Sequence, residues 1–152
     1  MTEIKRISFS ELKNWKECPY RHKLIHIDKI PYFEGNEFTA FGTAIHTVCE
    51  EIIIDDKKQA FKIFELNFLQ ELKILKEQGK TLNEQLVSEM RKQAKPICEQ
   101  VIPEVKSHFG NFKVVSVEEQ LLEPIDEFDA NGRKFKGFID LTIKTPDGKY
   151  HI

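Results

Sequence analysis

Three groups of side chains in this sequence have the type and spacing to hold a hard divalent cation. His46 and Glu50 lie four residues apart in TAFGTAIHTVCEEIII, so a helix stacks them on one side, with Gly42 one turn earlier. Glu118 and Glu119 are neighbours in FKVVSVEEQLL, and Asp140 sits midway along KFKGFIDLTIK. Carboxylate oxygens suit Mg²⁺ or Mn²⁺, and imidazole favours Mn²⁺ somewhat more. A helical histidine beside an apolar face also serves as a purely structural residue, and Glu50 can either orient His46 or be solvated. Asp140 is harder to explain structurally, because Asp is a poor strand former and needs partners when buried.

Two kinds of element must position these groups. Residues 134 to 143 alternate as a strand, with Phe135, Ile139, Leu141 and Ile143 on one face and Phe138, Asp140 and Thr142 on the other. Thr145-Pro146-Asp147-Gly148 then turns the chain back through Lys149-Tyr150-His151-Ile152. A tight return would set its next roughly one to three residues opposite Asp140, so the hairpin reads as cut short. A second strand is expected over Phe112 to Leu122, and a turn at Asn131-Gly132.

Upstream the periodicity is helical. Ser8-Phe9-Ser10-Glu11 has the form of a capping box opening a short helix over about 9 to 17, which Cys18-Pro19 breaks. A second short helix follows through Tyr20, Leu24 and Ile27 and stops at Ile30-Pro31. The helix carrying His46 begins near Thr39, with Phe41, Ile45, Val48, Cys49, Ile52 and Ile53 as its buried face. Gly42 costs such a helix roughly 1 kcal/mol relative to Ala, which suggests close approach of another backbone. Asp55-Asp56 can end it and cap the next helix, over about 57 to 78, with Phe61, Phe64, Phe68, Leu69, Leu72 and Leu75 buried and Gly79 as its stop. Thr81 to Glu84 forms a second capping box for a long region carrying Leu86, Met90, Ala94, Ile97, Val101, Val105 and Phe109, which Pro96 and Pro103 should kink or divide. The layout is α+β: a helical first two-thirds followed by an antiparallel β-meander, in a single domain over 1–152.

With 152 residues, 40% hydrophobic and 32% charged, the chain has the composition of a globular protein, neither disordered nor fibrous. No apolar run approaches 18 residues and no leader pattern opens the sequence, so no membrane partner is expected and the cytoplasm is the default location. Cys18, Cys49 and Cys98 form no CxxC pair and read as reduced thiols or small buried hydrophobes. The net charge of −2 argues against a coat for nucleic acid. The first thirty residues are nevertheless modestly basic; Lys13, Lys16, Arg21 and Lys23 are the candidates for phosphate contacts, and a solvated helix face is the alternative.

The order Ser8-Phe9-Ser10-Glu11-Leu12, Cys18-Pro19-Tyr20, Phe41-Gly42-Thr43-Ala44-Ile45-His46 with Glu50, Val117-Glu118, and Gly137-Phe138-Ile139-Asp140-Leu141 resembles the RecB-like branch of the PD-(D/E)xK nucleases. That branch includes recombination exonuclease domains, CRISPR-associated adaptation nucleases and phage exonucleases. The resemblance spans nearly the whole chain and implies a restriction-endonuclease-like α/β core. It implies a metal-dependent DNA nuclease, an exonuclease or end-processing enzyme, with Mg²⁺ or Mn²⁺ held by His46, Asp140 and Glu118, of which Asp140 and Glu118 are catalytic. A simple register about Asn131-Gly132 would put Glu119 rather than Glu118 on the Asp140 face, and a bulge near Pro124 would reverse that.

The family's acid-x-Lys motif would lie on the strand begun by Tyr150-His151-Ile152. The resemblance thus implies a chain that ends before its site is complete. The alternative is an inactive nuclease-like module that binds DNA or a protein partner, such as a polypeptide completing the last strand. A helicase or recombination partner is a further expectation. Some relatives use a cysteine at the place of Cys18 in a [4Fe-4S] cluster, but Cys49 and Cys98 do not match the remaining positions. No iron-sulfur site is therefore expected within this chain, and Cys18 reads as structural.

Overall fold

The structure is a computed structural model, and it describes residues 6–31, 35–125 and 132–152. Its chain forms two compact units, Met1–Phe33 with Glu118–Asp140, and Glu34–Val117 with Leu141–Ile152. Among the described residues, five α-helices and a mixed sheet of four strands make up the α+β layout.

The first unit opens with strand β1, Arg6–Ser8, which the sequence pattern did not announce. It pairs in parallel with the start of β3, Lys134–Lys144, with Ser8 opposite Lys136. The sheet is therefore mixed rather than a pure antiparallel meander, because the three residues that end in the first helix cap are enough to add a strand. Ser8 then caps α1, Phe9–Glu17, accepting the Glu11 N–H at 3.2 Å. Glu11 does not complete the box; its carboxylate turns to His22 at 3.1 Å. Cys18 is extended, and its Sγ accepts the Arg21 N–H at the start of α2, Pro19–His22. A π-helical turn, Lys23–Ile27, completes the short helical hairpin. The Asn131-Gly132 turn falls at the edge of the described residues, Asn131 lying outside them.

The second unit holds the hydrophobic core. Asn36 and Thr39 form the capping box of α3, Glu37–Ile54, so the helix starts two residues before the expected Thr39. Its buried line is Ala40, Ala44, Val48 and Ile52, with Phe41 and Ile45 flanking. The alanines keep that line thin and let Phe64 and Phe68 of α4, Ala60–Glu77, pack fully buried beside it. Phe41 meets both rings edge-on, at 5.5 and 6.0 Å. Leu69 and Ile97, expected in the core, are 55% and 41% exposed, since the buried faces follow Phe64-Phe68-Leu72-Leu75 and Met90-Ala94-Cys98.

Helix α4 begins at Ala60 rather than 57 and has no side-chain cap, because Asp55 spends its carboxylate on the Lys57 N–H in the preceding turn. The cap of α5, Glu84–Phe109, is Asn83 rather than Thr81. Pro96 and Pro103 do not divide α5. They stand two turns apart on its exposed side, while Met90, Ala94 and Cys98 anchor the opposite side in the core. Glu37 Oε1 accepts the Asn83 N–H at 2.7 Å and ties the start of α3 to that of α5. Gly42 makes no close backbone approach: a Cβ there would meet nothing within 4 Å among the described residues. The hairpin turn is as expected, with the Gly148 N–H on the Thr145 carbonyl at 2.9 Å. Strand β4, Tyr150–His151, returns antiparallel, with Ile143 opposite His151.

Candidate functional site

Strands β2, Lys113–Pro124, and β3 are neighbours in the sheet, and each passes from one unit to the other at an expected carboxylate. β2 changes unit between Val117 and Glu118, and β3 between Asp140 and Leu141. Both carboxylates thus belong to the first unit, on adjacent strands.

Glu118 is a backbone exception. Its φ of 50° lies in the left-handed region inside an otherwise extended strand. Such a residue stores about 1–3 kcal/mol of strain that its surroundings must hold in place. The consequence appears in the exposure pattern. Val114 and Val115 alternate in and out, but Ser116, Val117 and Glu118 are then all partly buried, and Glu119 is exposed. The irregularity expected near Pro124 is therefore at Glu118 itself, and it tucks this carboxylate in, with Oε1 shielded from solvent. On β3 the face of Asp140 carries half-buried Lys136, exposed Phe138, exposed Asp140 and buried Thr142. Asp140 stands where the open part of that face ends.

In the second unit, α3 brings His46 and Glu50 together. Nδ1 of the imidazole pairs with Oε1 of the carboxylate, with the two side chains 50% and 32% exposed. Gly42 is exposed one turn before. Cys49 and Cys98 carry free thiols whose pKa values burial pushes up, Glu50 adding to the effect on Cys49 and Cys49 to that on Cys98. Cys18 is exposed and acts as a helix cap.

The basic candidates are all on the surface of the first unit. Lys13 and Arg21 share Glu17 at 3.9 and 3.4 Å, Lys23 reaches Asp28 at 2.6 Å, and Lys16 is exposed on the same helix as Lys13. Sequence reading passed over a polar cluster here: His22 with Glu11, His26 with Asn14 at 3.0 Å, and the two rings stacked at 5.2 Å. The four-residue spacing of the histidines on a helical stretch was the available signal.

Imidazole nitrogen and carboxylate oxygen form the kind of donor set that Mg²⁺ and Mn²⁺ take, so the chemistry of these residues fits a hard divalent ion. Among the described residues, no helix is long and apolar enough to cross a membrane. In comparison with known families, the sequence model of the PD-(D/E)XK nuclease superfamily matches residues 6–152. No curated protein matches the chain.

Proposed function

The chain belongs to the PD-(D/E)XK nuclease superfamily, and on that premise we propose that it hydrolyses DNA phosphodiesters with a divalent metal, as an exonuclease or end-processing enzyme of the RecB-like branch. The observation that carries the reading is the family match across residues 6–152, within which the GxxxH block at Gly42–His46, the strand glutamate and the GxxD block at Gly137–Asp140 follow in order.

His46, Glu118 and Asp140 would hold the metal, Mg²⁺ or Mn²⁺. When bound, such an ion polarises the scissile phosphate and lowers the pKa of the attacking water. Glu50 pairs with Nδ1 of the His46 ring, which would leave Nε2 for the metal. One carboxylate oxygen of Glu118 is shielded from solvent, whereas the exposed side chain of Asp140 is open to substrate. The family's acid-x-Lys motif belongs to the strand that β4 begins. Lys13, Lys16, Arg21 and Lys23 would contact phosphates. The cytoplasm is the proposed location, and a helicase or recombination partner accords with the RecB-like assignment.

Calorimetric titration with Mn²⁺, run beside cleavage of an end-labelled DNA, tests the reading. Binding and cleavage should both be lost in His46→Ala and Asp140→Ala. Full Mn²⁺-dependent cleavage by Asp140→Ala would sink it.

A further inference from the structure

The first unit wears its apolar side chains on the outside. On α1, Glu11 and Asn14 are engaged inside the helical hairpin by His22 and His26. The other side of the helix presents Phe9, 68% exposed, with Lys13 and Lys16 recurring at i+4 and i+7 from it, while Trp15, 55% exposed, lies on the flank one turn on from Glu11. A soluble helix ordinarily turns these classes the other way round.

β3 carries the same pairing of ring and ammonium toward Asp140. Lys136, Phe138 and Asp140 alternate onto one face of the strand. Phe138 is 53% exposed, and Lys136 Nζ lies 4.5 Å from the centre of its ring. β1 connects the two sets, because Ser8 pairs with Lys136 in parallel register and Phe9 follows directly. Aromatic rings and lysines therefore flank the β1–β3 pair, on β3 toward Asp140 and on α1, all within one unit.

Exposed rings interleaved with ammonium groups complement an unpaired strand better than a duplex. Duplex bases are stacked on one another, whereas an unpaired strand offers each base face to a ring and its phosphates to the cations between. The 3.9 Å surface pair of Lys13 with Glu17 is weak enough to give way to a phosphate.

We propose that this unit is a single-strand platform leading to Asp140, with bases stacking on Phe138 and Phe9 and phosphates neutralised by Lys136, Lys13 and Lys16. The proposal rests on the nuclease reading above and narrows its substrate to unpaired DNA.

Trp15, on the flank of the same helix, is the single tryptophan of the sequence, so its fluorescence reports on the helix that carries Phe9. Titration with a short oligothymidylate in EDTA, where cleavage plays no part, is expected to quench it. A blunt duplex of equal length should bind about tenfold more weakly or worse. Phe138→Ala should weaken oligothymidylate binding about fivefold or more, the low end for loss of one base–ring stack. Replacing Lys13 and Lys16 by Ala should lower the slope of log K against log salt by about 0.7 for each lysine. These positions lie on the surface, and circular dichroism verifies that the variants fold. Equal affinity for duplex and single strand, or variants that bind like the parent, would overturn the proposal. So would fluorescence changes that follow protein concentration instead of DNA, which would mark the patch as a contact between copies. Mn²⁺-dependent cleavage without these binding effects removes the platform and leaves the nuclease reading standing. The binding effects with neither cleavage nor Mn²⁺ binding support the platform and remove the nuclease reading.

Discussion

Nδ1 of His46 meets Oε1 of Glu50 one helical turn further along α3, so the carboxylate fixes which way the imidazole faces. Partners that orient a ligating histidine typically contribute 10–100-fold in metal affinity. Glu50→Ala is accordingly expected to weaken Mn²⁺ binding about tenfold or more, and His46→Ala to remove it. Calorimetry that finds Glu50→Ala unchanged would make Glu50 a solvated bystander.

Glu118 should trade stability against function. Glycine accepts a positive φ without strain, so Glu118→Gly is expected to unfold in urea within about 1 kcal/mol of the parent while Mn²⁺ affinity collapses. Glu118→Val places a β-branched side chain in the same conformation and should cost about 1–3 kcal/mol. Equal losses of stability in both variants would show that φ is not the governing factor.

Gly42 offers a simpler test. With nothing within 4 Å of a Cβ at this position, Gly42→Ala should raise the urea midpoint, by about 0.5–1 kcal/mol of helix propensity. A loss of stability would restore the close-approach reading that the structure removes.

Acid should loosen the second unit in a defined direction. The Asn83 N–H holds the Glu37 carboxyl below its ordinary 4.5, and Lys106 does the same for Asp56. Between the lowered folded values and the ordinary ones, the unfolded chain binds more protons. Stability therefore rises with pH through that window; the contribution is fully present above the ordinary values and is lost as pH falls through the folded ones. Glu37→Gln keeps an acceptor for the Asn83 N–H but cannot titrate. Its thermal midpoint should fall less steeply than the parent's when pH drops below about 4.5. Parallel acid profiles for parent and variant would refute this account.

Local chemistry made much of this protein legible in its sequence. Ser8 and Pro19 mark helix starts because cap and ring constraints act within a few residues, and Pro146-Gly148 marks the hairpin turn for the same reason. The spacing of His46 and Glu50 sufficed to stack them, since a helix repeats every 3.6 residues whatever surrounds it. Alternation along β3 separated Asp140 from Ile139 and Leu141 on the same principle.

What tertiary structure decided depends on partners distant in the chain. Arg6–Ser8 becomes a strand only because Lys134–Lys136, 128 residues further along the chain, supplies its hydrogen bonds. α5 stays whole through two prolines because its far side is anchored by packing, which outweighs local propensity. Leu69 and Ile97 are exposed because helix packing chose a neighbouring stripe, and periodicity alone cannot choose between adjacent stripes. The choice between Glu118 and Glu119 as the tucked-in side chain turns on one positive φ, an angle that no pattern of alternating residues encodes.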